Sequence, residues 1–325
     1  MSLSTSTPTS PGSPGSTGTS LPTVPDDLLS IGDLDGPTIR GILDLAIELK
    51  RDPAGHSTAL AGRSVALIFE KPSLRTRASL EVGLHRLGAQ SVVFDQRDSP
   101  LGERESVHDL GRNLERWFDA VAARVNRHAV ITELADCCDV PVVNTLSDLH
   151  HPCQALADLL TLHERGIPLE RAHVAFIGDG NNVCHSLIEA VVATGGRITV
   201  IAPPRHGPSA DVVSAGERLG AITGGRVEVT DDPEAVRGVD AIYTDAWVSM
   251  GETEDPDKLE ELTRFRVDES LMNLAGPEAV FMHCLPAHRG EEVVDRVIDG
   301  PRSVVFDQAE NRLHAQNAWF VARLA

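Results

Sequence analysis

The chain has 325 residues, with 29 Lys and Arg against 48 Asp and Glu, a formal charge of -19. That length exceeds the usual single hydrophobic core, so two domains of roughly 150 residues are expected. The acidity argues against nucleic-acid partners and anionic membranes, so any anion site has to be built locally.

Residues 1–25 are Ser, Thr, Pro and Gly with almost nothing to bury, and are expected to form a disordered tail. The N-terminus lacks the basic-then-apolar pattern of a signal peptide, and no apolar run approaches the roughly 18 residues of a membrane span. A cytoplasmic protein is expected. Cys137, Cys138, Cys153, Cys184 and Cys284 form no CxxC pair or disulfide framework and are expected to be reduced.

From Gly36 onward, Pro37 can open a helix, and Ile39, Ile42, Leu43 and Ala46 recur at helical spacing. Apolar runs then alternate with helical patterns: SVALIF, SVVF, DAVAAR and VPVVN in the first half, HVAFIG, RITVIAP, VDAIYTD, AVFMHC and SVVFD in the second. Each run reads as a strand, and the alternation predicts an α/β protein with two doubly wound parallel-sheet domains. The boundary is expected in a helix at about residues 153–165, where Cys153, Leu156, Ala157 and Leu160 form a stripe after Pro152. The domains are therefore drawn as 26–155 and 156–305, with the helical pattern of 306–325 able to pack against either.

Several clusters fall where a strand hands over to a helix. Ser73-Leu74-Arg75-Thr76-Arg77 opens a predicted helix, where free N–H groups and the helix dipole favour an anion. Ser73 could simply cap the helix, but two arginines in a first turn are unfavourable unless an anion offsets them. His151 and Gln154 flank Pro152 at a second helix start, where an imidazole can donate to a carbonyl oxygen that gains charge; a packing histidine is the plainer alternative. In GDGNNV, Gly178 and Gly180 hint at a dinucleotide fingerprint. Val183 replaces its third glycine, however, and no acidic residue ends the next strand, which disfavours a nicotinamide cofactor. Asn181 and Asn182 can instead offer amides to a small polar ligand. Asp245 and Cys284 follow predicted strands, one offering a carboxylate for an ammonium group, the other a thiol or thiolate; the alternatives are a capping carboxylate and a buried apolar cysteine. His283, Cys284 and His288, or His150, His151 and Cys153, have no recognised zinc spacing, and no metal is expected. Arg124 and Arg312 are further cations near strand ends.

Together FEKPSLRTR, HPCQ, GDGNNV, DAWVSMG, HCLPAHRGEE and AENRLHAQ resemble the transcarbamylases, most closely the ornithine carbamoyltransferase family, from about residue 27 to the C-terminus. The resemblance implies a carbamoyl-phosphate domain (26–155), an ornithine domain (156–305), a last helix crossing back to the first domain, and a homotrimer with sites between subunits. It also implies that Ser73, Leu74, Arg75, Thr76, Arg77, Arg124 and Arg312 surround carbamoyl phosphate. Thr76, Arg77 and His151 would polarise the carbamoyl oxygen, and Gln154 would hold the carbamoyl amine. Asn182, Asp245, Ser249 and Met250 would place ornithine, with Cys284 and the Leu285 carbonyl beside its δ-amine. No cofactor is implied. Two positions depart from the family pattern: Leu74 stands where Thr is usual, and Pro100 where the neighbouring subunit often supplies Gln or His. Carbamoylation of N-acetylornithine, putrescine or aspartate, a non-catalytic ligand-binding paralogue, and a dehydrogenase are the alternatives.

Overall fold

The computed structural model describes residues 21–97, 99–248 and 255–325. Among the described residues nine strands form two fully parallel sheets. The first contains β1 (Ser64–Phe69), β2 (Gln90–Asp95), β3 (Ala120–Arg124) and β4 (Val142–Leu146), in the order β2-β1-β3-β4. The second contains β5 (His173–Ile177), β6 (Arg197–Ile201), β7 (Arg226–Thr230), β8 (Ala241–Thr244) and β9 (Val280–His283), in the order β7-β6-β5-β8-β9. Strand order reverses beside β1 in one sheet and beside β5 in the other, the arrangement of doubly wound folds.

The helices are α1 (Gly36–Arg51), α2 (Leu74–Arg86), α3 (Val107–Leu114), α4 (His128–Cys137), α5 (Pro152–Glu164), α6 (Asn182–Ala193), α7 (Ala210–Thr223), α8 (Pro256–Leu262), α9 (Glu269–Ala275), α10 (Asp295–Ile298) and α11 (Val305–Leu324). Local chemistry explains several starts. Asp35 caps α1 by accepting from the Thr38 N–H at 2.8 Å, and Asn181 Oδ1 caps α6 by accepting from Val183 N and Cys184 N. Among the described residues no helix is long and apolar enough to cross a membrane.

The helix α5 begins as the sequence predicts, yet its buried surface is not the single stripe of Cys153, Leu156, Ala157 and Leu160. Every residue from Pro152 to Leu162 is buried, because α5 packs against α1, α6 and α11 at once. The helix α11 in turn lies against α1, α2 and α5. These two helices tie the sheets together and carry polar side chains inward.

Two strand expectations require correction. SVVFD (303–307) is not a strand: Ser303 makes a single bridge to Phe281, and α11 starts at Val305. Two adjacent valines fit either a strand or a buried helix start, and periodicity cannot separate so short a run. Conversely RVEVT forms the edge strand β7, largely exposed and rich in polar residues, so its apolar signal is weak. Residues 1–20, most of the expected tail, lie outside the described residues, whereas Val24 is half-buried against the core.

Candidate active site

A cavity of about 530 Å³ lies between the two sheets. Its walls come from the carboxyl ends of β1, β3, β4, β5, β8 and β9, with α5 and α11 closing one side. Both reversal points open into it, one between β1 and β3 and the other between β5 and β8. Peptide N–H groups and loop side chains converge there by topology alone.

One end is cationic. Ser73 is the cap of α2: its Oγ accepts from the Thr76 N–H at 3.3 Å and also from Arg124 Nη1 at 3.4 Å. Arg124 ends β3 at a register shift against β4, a local irregularity of the kind that re-aims a side chain. Burial, reinforced by Arg312 and Arg75, pushes the Arg124 guanidinium down to about 10. Such mutual repulsion is relieved by an anion. Arg75 and Lys71 line the same wall and form no ion pair among the described residues.

Two side chains of this cluster point elsewhere. Arg77 points out of the cavity and pairs with Glu81 at 3.3 Å, one helical turn on. The Leu74 side chain is 80% exposed and does not line the cavity, so it neither fills nor blocks the anion cradle. Successive helix residues are separated by about 100°, so Arg77 projects roughly 200° around α2 from Arg75, and Leu74 roughly 200° from Thr76. Pro100 stands in a separate surface depression, beside a loop held by Leu101 N–H donating to Glu70.

The floor is built by α5 and α11. Arg312 Nη1 donates to Gln154 Oε1 at 2.7 Å and approaches His151 Nε2 at 3.3 Å, while its Nη2 donates to Thr76 Oγ1 at 3.4 Å. Because Nε2 faces a guanidinium, it accepts, and the neutral ring carries its proton on Nδ1. That Nδ1 has no hydrogen-bond partner among the described residues. Burial, with Arg312 and Arg124 nearby, holds His151 well below the ordinary histidine range, so the ring is neutral. A buried N–H without a partner suits a carbonyl oxygen.

The opposite end carries a carboxylate. Asp245 accepts from Cys284 Sγ at 2.9 Å, from Ala246 N at 2.8 Å and from Asn181 Nδ2 at 2.7 Å. Burial and the adjacent Asp245 push the Cys284 thiol well above its ordinary range, resolving the thiol-or-thiolate alternative in favour of the thiol. Leu285 sits at φ 58, a left-handed conformation costly for a side chain of this kind, and its N–H donates to His283 Nδ1 at 2.9 Å. Asn182 lines the cavity, with its Nδ2 donating to the Ser147 carbonyl at 2.6 Å. Ser249 and Met250 lie outside the described residues.

The glycines of GDGNNV have a different use from phosphate binding. A Cβ on Gly180 would fall 2.3 Å from Pro208 N, so backbone occupies the approach a pyrophosphate would need. Gly178 adopts φ 125, which only glycine takes readily.

Asp245, His283 and Cys284 offer possible metal-ligand atoms within 4.8 Å of one another, closer than strand alternation suggests. Both nitrogens of His283 are already engaged, however, Nε2 with Glu292 at 3.2 Å and Nδ1 with Leu285 N–H.

Sequence reading overlooked Lys71, Asp179 and Lys258, all of which line the cavity. Lys258 Nζ pairs with Asp179 at 2.9 Å, across the second reversal point. A signal existed: the chain has three lysines, Lys50, Lys71 and Lys258, in an otherwise arginine-biased sequence, and two of them are here.

Residues 26–164 match the model of the aspartate/ornithine carbamoyltransferase carbamoyl-P binding domain, and residues 170–322 match that of the Asp/Orn binding domain. The chain is 46% identical to an ornithine carbamoyltransferase of Shewanella oneidensis, over 90% of this chain and 97% of the relative. It is 47% identical to that of Hyperthermus butylicus, over 92% and 97%. The ornithine carbamoyltransferase structure from Pyrococcus furiosus superposes with a TM-score of 0.88 at 43% identity, covering 93% of this chain and 97% of that one. Two matching domain models and identity of this extent show that the chain belongs to the aspartate/ornithine carbamoyltransferase family.

Proposed function

We propose that the chain transfers the carbamoyl group of carbamoyl phosphate to the δ-amine of L-ornithine, giving L-citrulline and phosphate. The observation that carries this reading is one cavity with Arg75, Arg124 and Arg312 at one end and Asp245 with Cys284 at the other. The phosphate of the donor fits the cationic end, with the Arg75 N–H at the start of α2 as a further donor. The carbamoyl carbon then falls above the floor, within reach of Thr76, Arg312 and His151.

The ornithine δ-amine attacks this carbon as the neutral amine, a form that burial beside cations favours. Charge builds on the carbamoyl oxygen and is met by donors already in place: the Nδ1–H of His151, the Thr76 hydroxyl and Arg312. The resemblance gives part of this work to Arg77; with Arg77 turned outward, Arg312 is the guanidinium we assign to it. Gln154 orients the carbamoyl amine. The C–O bond to phosphate breaks, the departing phosphate takes the proton that the attacking amine gives up, and it leaves into the arginine cluster. At the other end Asp245 receives the α-ammonium, Asn182 the carboxylate, and the Cys284 thiol and Leu285 carbonyl flank the δ-amine. Ser249 and Met250 are expected to complete this end. The protein supplies all these groups, and no cofactor is required.

The deciding experiment is a citrulline assay with ornithine, N-acetylornithine, putrescine and aspartate as competing acceptors. Ornithine is expected to be the preferred amine. Product from another amine and none from ornithine would reassign the acceptor, and turnover equal to an Arg75→Ala control would favour a non-catalytic paralogue. On the same resemblance a cytoplasmic homotrimer is expected, for which light scattering should give three times the chain mass of 34.8 kDa.

A further inference from the structure

We propose that Asp158 is a positioning residue that holds the two halves of the cavity in register, acting as a common hydrogen-bond acceptor for Gln154 and Gln308. The proposal rests on the carbamoyl-transfer reading and adds to it a residue that touches neither substrate.

Asp158 lies on the second turn of α5 and is fully buried. Its Oδ1 accepts from Gln154 Nε2 at 2.7 Å and from Gln308 Nε2, on α11, also at 2.7 Å. From Gln154 the chain of bonds continues to the donor side, since Gln154 Oε1 accepts from Arg312, which reaches His151 and Thr76. From Gln308 it continues to the acceptor side. Gln308 Oε1 accepts from the His283 N–H at 2.9 Å, and His283 Nδ1 accepts from Leu285 N–H at 2.9 Å. One oxygen thus stands midway between the floor that faces the donor and the strained turn carrying Cys284.

The chemistry of the pair requires an acceptor at this point. A glutamine amide can present either its oxygen or its NH₂ with little difference in shape. With a carboxyl oxygen between them, both amides must turn NH₂ inward and oxygen outward. Arg312 and the His283 N–H then each meet an oxygen. If the amide of Gln154 were reversed, its NH₂ would face the Arg312 guanidinium and leave two buried donors opposed. Burial pushes the Asp158 carboxyl up to about 7. Either protonation state accepts at Oδ1, so asparagine is a fair mimic of what the residue does.

The test uses the full-length chain and steady-state kinetics with both substrates varied. Asp158→Ala is expected to lower kcat about a hundredfold, the scale of a misplaced reacting group, and to raise the carbamoyl phosphate KM about tenfold. Asp158→Asn should recover activity to within about fivefold of wild type, since it retains the acceptor oxygen. In a Gln154→Ala background, Asp158→Ala should change the donor KM by less than about threefold, because the partner through which it acts is already gone. Defects of Asp158→Ala and Gln154→Ala that multiply in full, or an Asp158→Asn as poor as Asp158→Ala, would overturn the proposal. Should Asp158→Ala not fold, Gln308→Ala reads the other arm. It should raise the ornithine KM about tenfold and leave the donor KM within about twofold, and an unchanged ornithine KM overturns the link. Wild-type protein that makes no citrulline defeats the transfer reading itself; active wild type with multiplying defects defeats only the role of Asp158.

Discussion

The two sheets place their functional side chains by the same rule and fill those places with opposite charge. At the reversal between β1 and β3 the chain supplies Arg75 and Arg124; at the reversal between β5 and β8 it supplies Asp179 and Asp245. The two ends also differ in how far they are satisfied. At the first end burial and like charge work against the guanidinium of Arg124, which falls to about 10, so a phosphate there relieves an existing cost. At the second, Asp245 already accepts from Asn181, Ala246 and Cys284. An ammonium must share or replace those bonds, so its net gain is smaller. Parallel-sheet topology decides where a ligand sits, and side-chain identity decides what charge it carries and how much it gains by arriving.

This contrast can be broken most decisively at its cationic end. Arg75→Ala is expected to lower kcat/KM for carbamoyl phosphate about a thousandfold, the upper range for loss of one preorganised donor, while Arg77→Ala should be at least about tenfold milder. Equal losses would mean that Arg77 reaches the donor after all. At the acceptor end, Asp245→Asn keeps the shape and removes the charge. It should raise the ornithine KM about ten- to a hundredfold with the donor KM nearly unchanged; a donor defect of similar size would show that the ends are not separable.

A pH series sharpens the comparison further. The folded-state pKa of His151 lies well below its ordinary 6.5, so the unfolded chain takes up a proton near 6.5 while the folded ring stays neutral. Stability through this residue is therefore complete above 6.5 and is lost as pH falls below it. The thermal stability of His151→Gln relative to wild type should accordingly improve between pH 7.5 and 5.5, and a constant difference would contradict a neutral buried ring. The smallest effect is assigned to Leu74→Thr: with its side chain 80% exposed outside the cavity, it should leave the donor KM within about twofold.

Much of this was legible along the chain. Eight of the nine strands coincide with apolar runs that open with a turn residue or follow a helical pattern, because buried parallel strands need near-continuous apolar stretches. The edge strand β7 escaped because an exposed strand is under no such demand. Ser73, Arg75, Thr76, Arg124, His151, Gln154, Asn182, Asp245, Cys284, Leu285 and Arg312 all line the cavity. Leu74 and Arg77 belong to the same motif, but their side chains do not line the cavity. Lys71 and Asp179 stand inside FEKPSLRTR and GDGNNV without a pattern that singles them out, and the pairing of Asp179 with Lys258, 79 positions apart, leaves no local signal.

The sequence by itself determined the two α/β units, the helix starts near Pro37, Ser73 and Pro152, and the residue types able to handle an anion, a carbonyl and an ammonium group. These follow from short-range chemistry: apolar periodicity, capping oxygens, and charge beside a helix end. Tertiary structure alone decided that Arg312 meets His151 across 161 positions of chain, that Gln154 and Gln308 share one oxygen of Asp158, and that Arg77 faces away. Hydrogen-bond partners and protonation states depend on burial and on neighbours at separations of 2.7 to 3.4 Å, which only the packing of α5 and α11 between the sheets brings about.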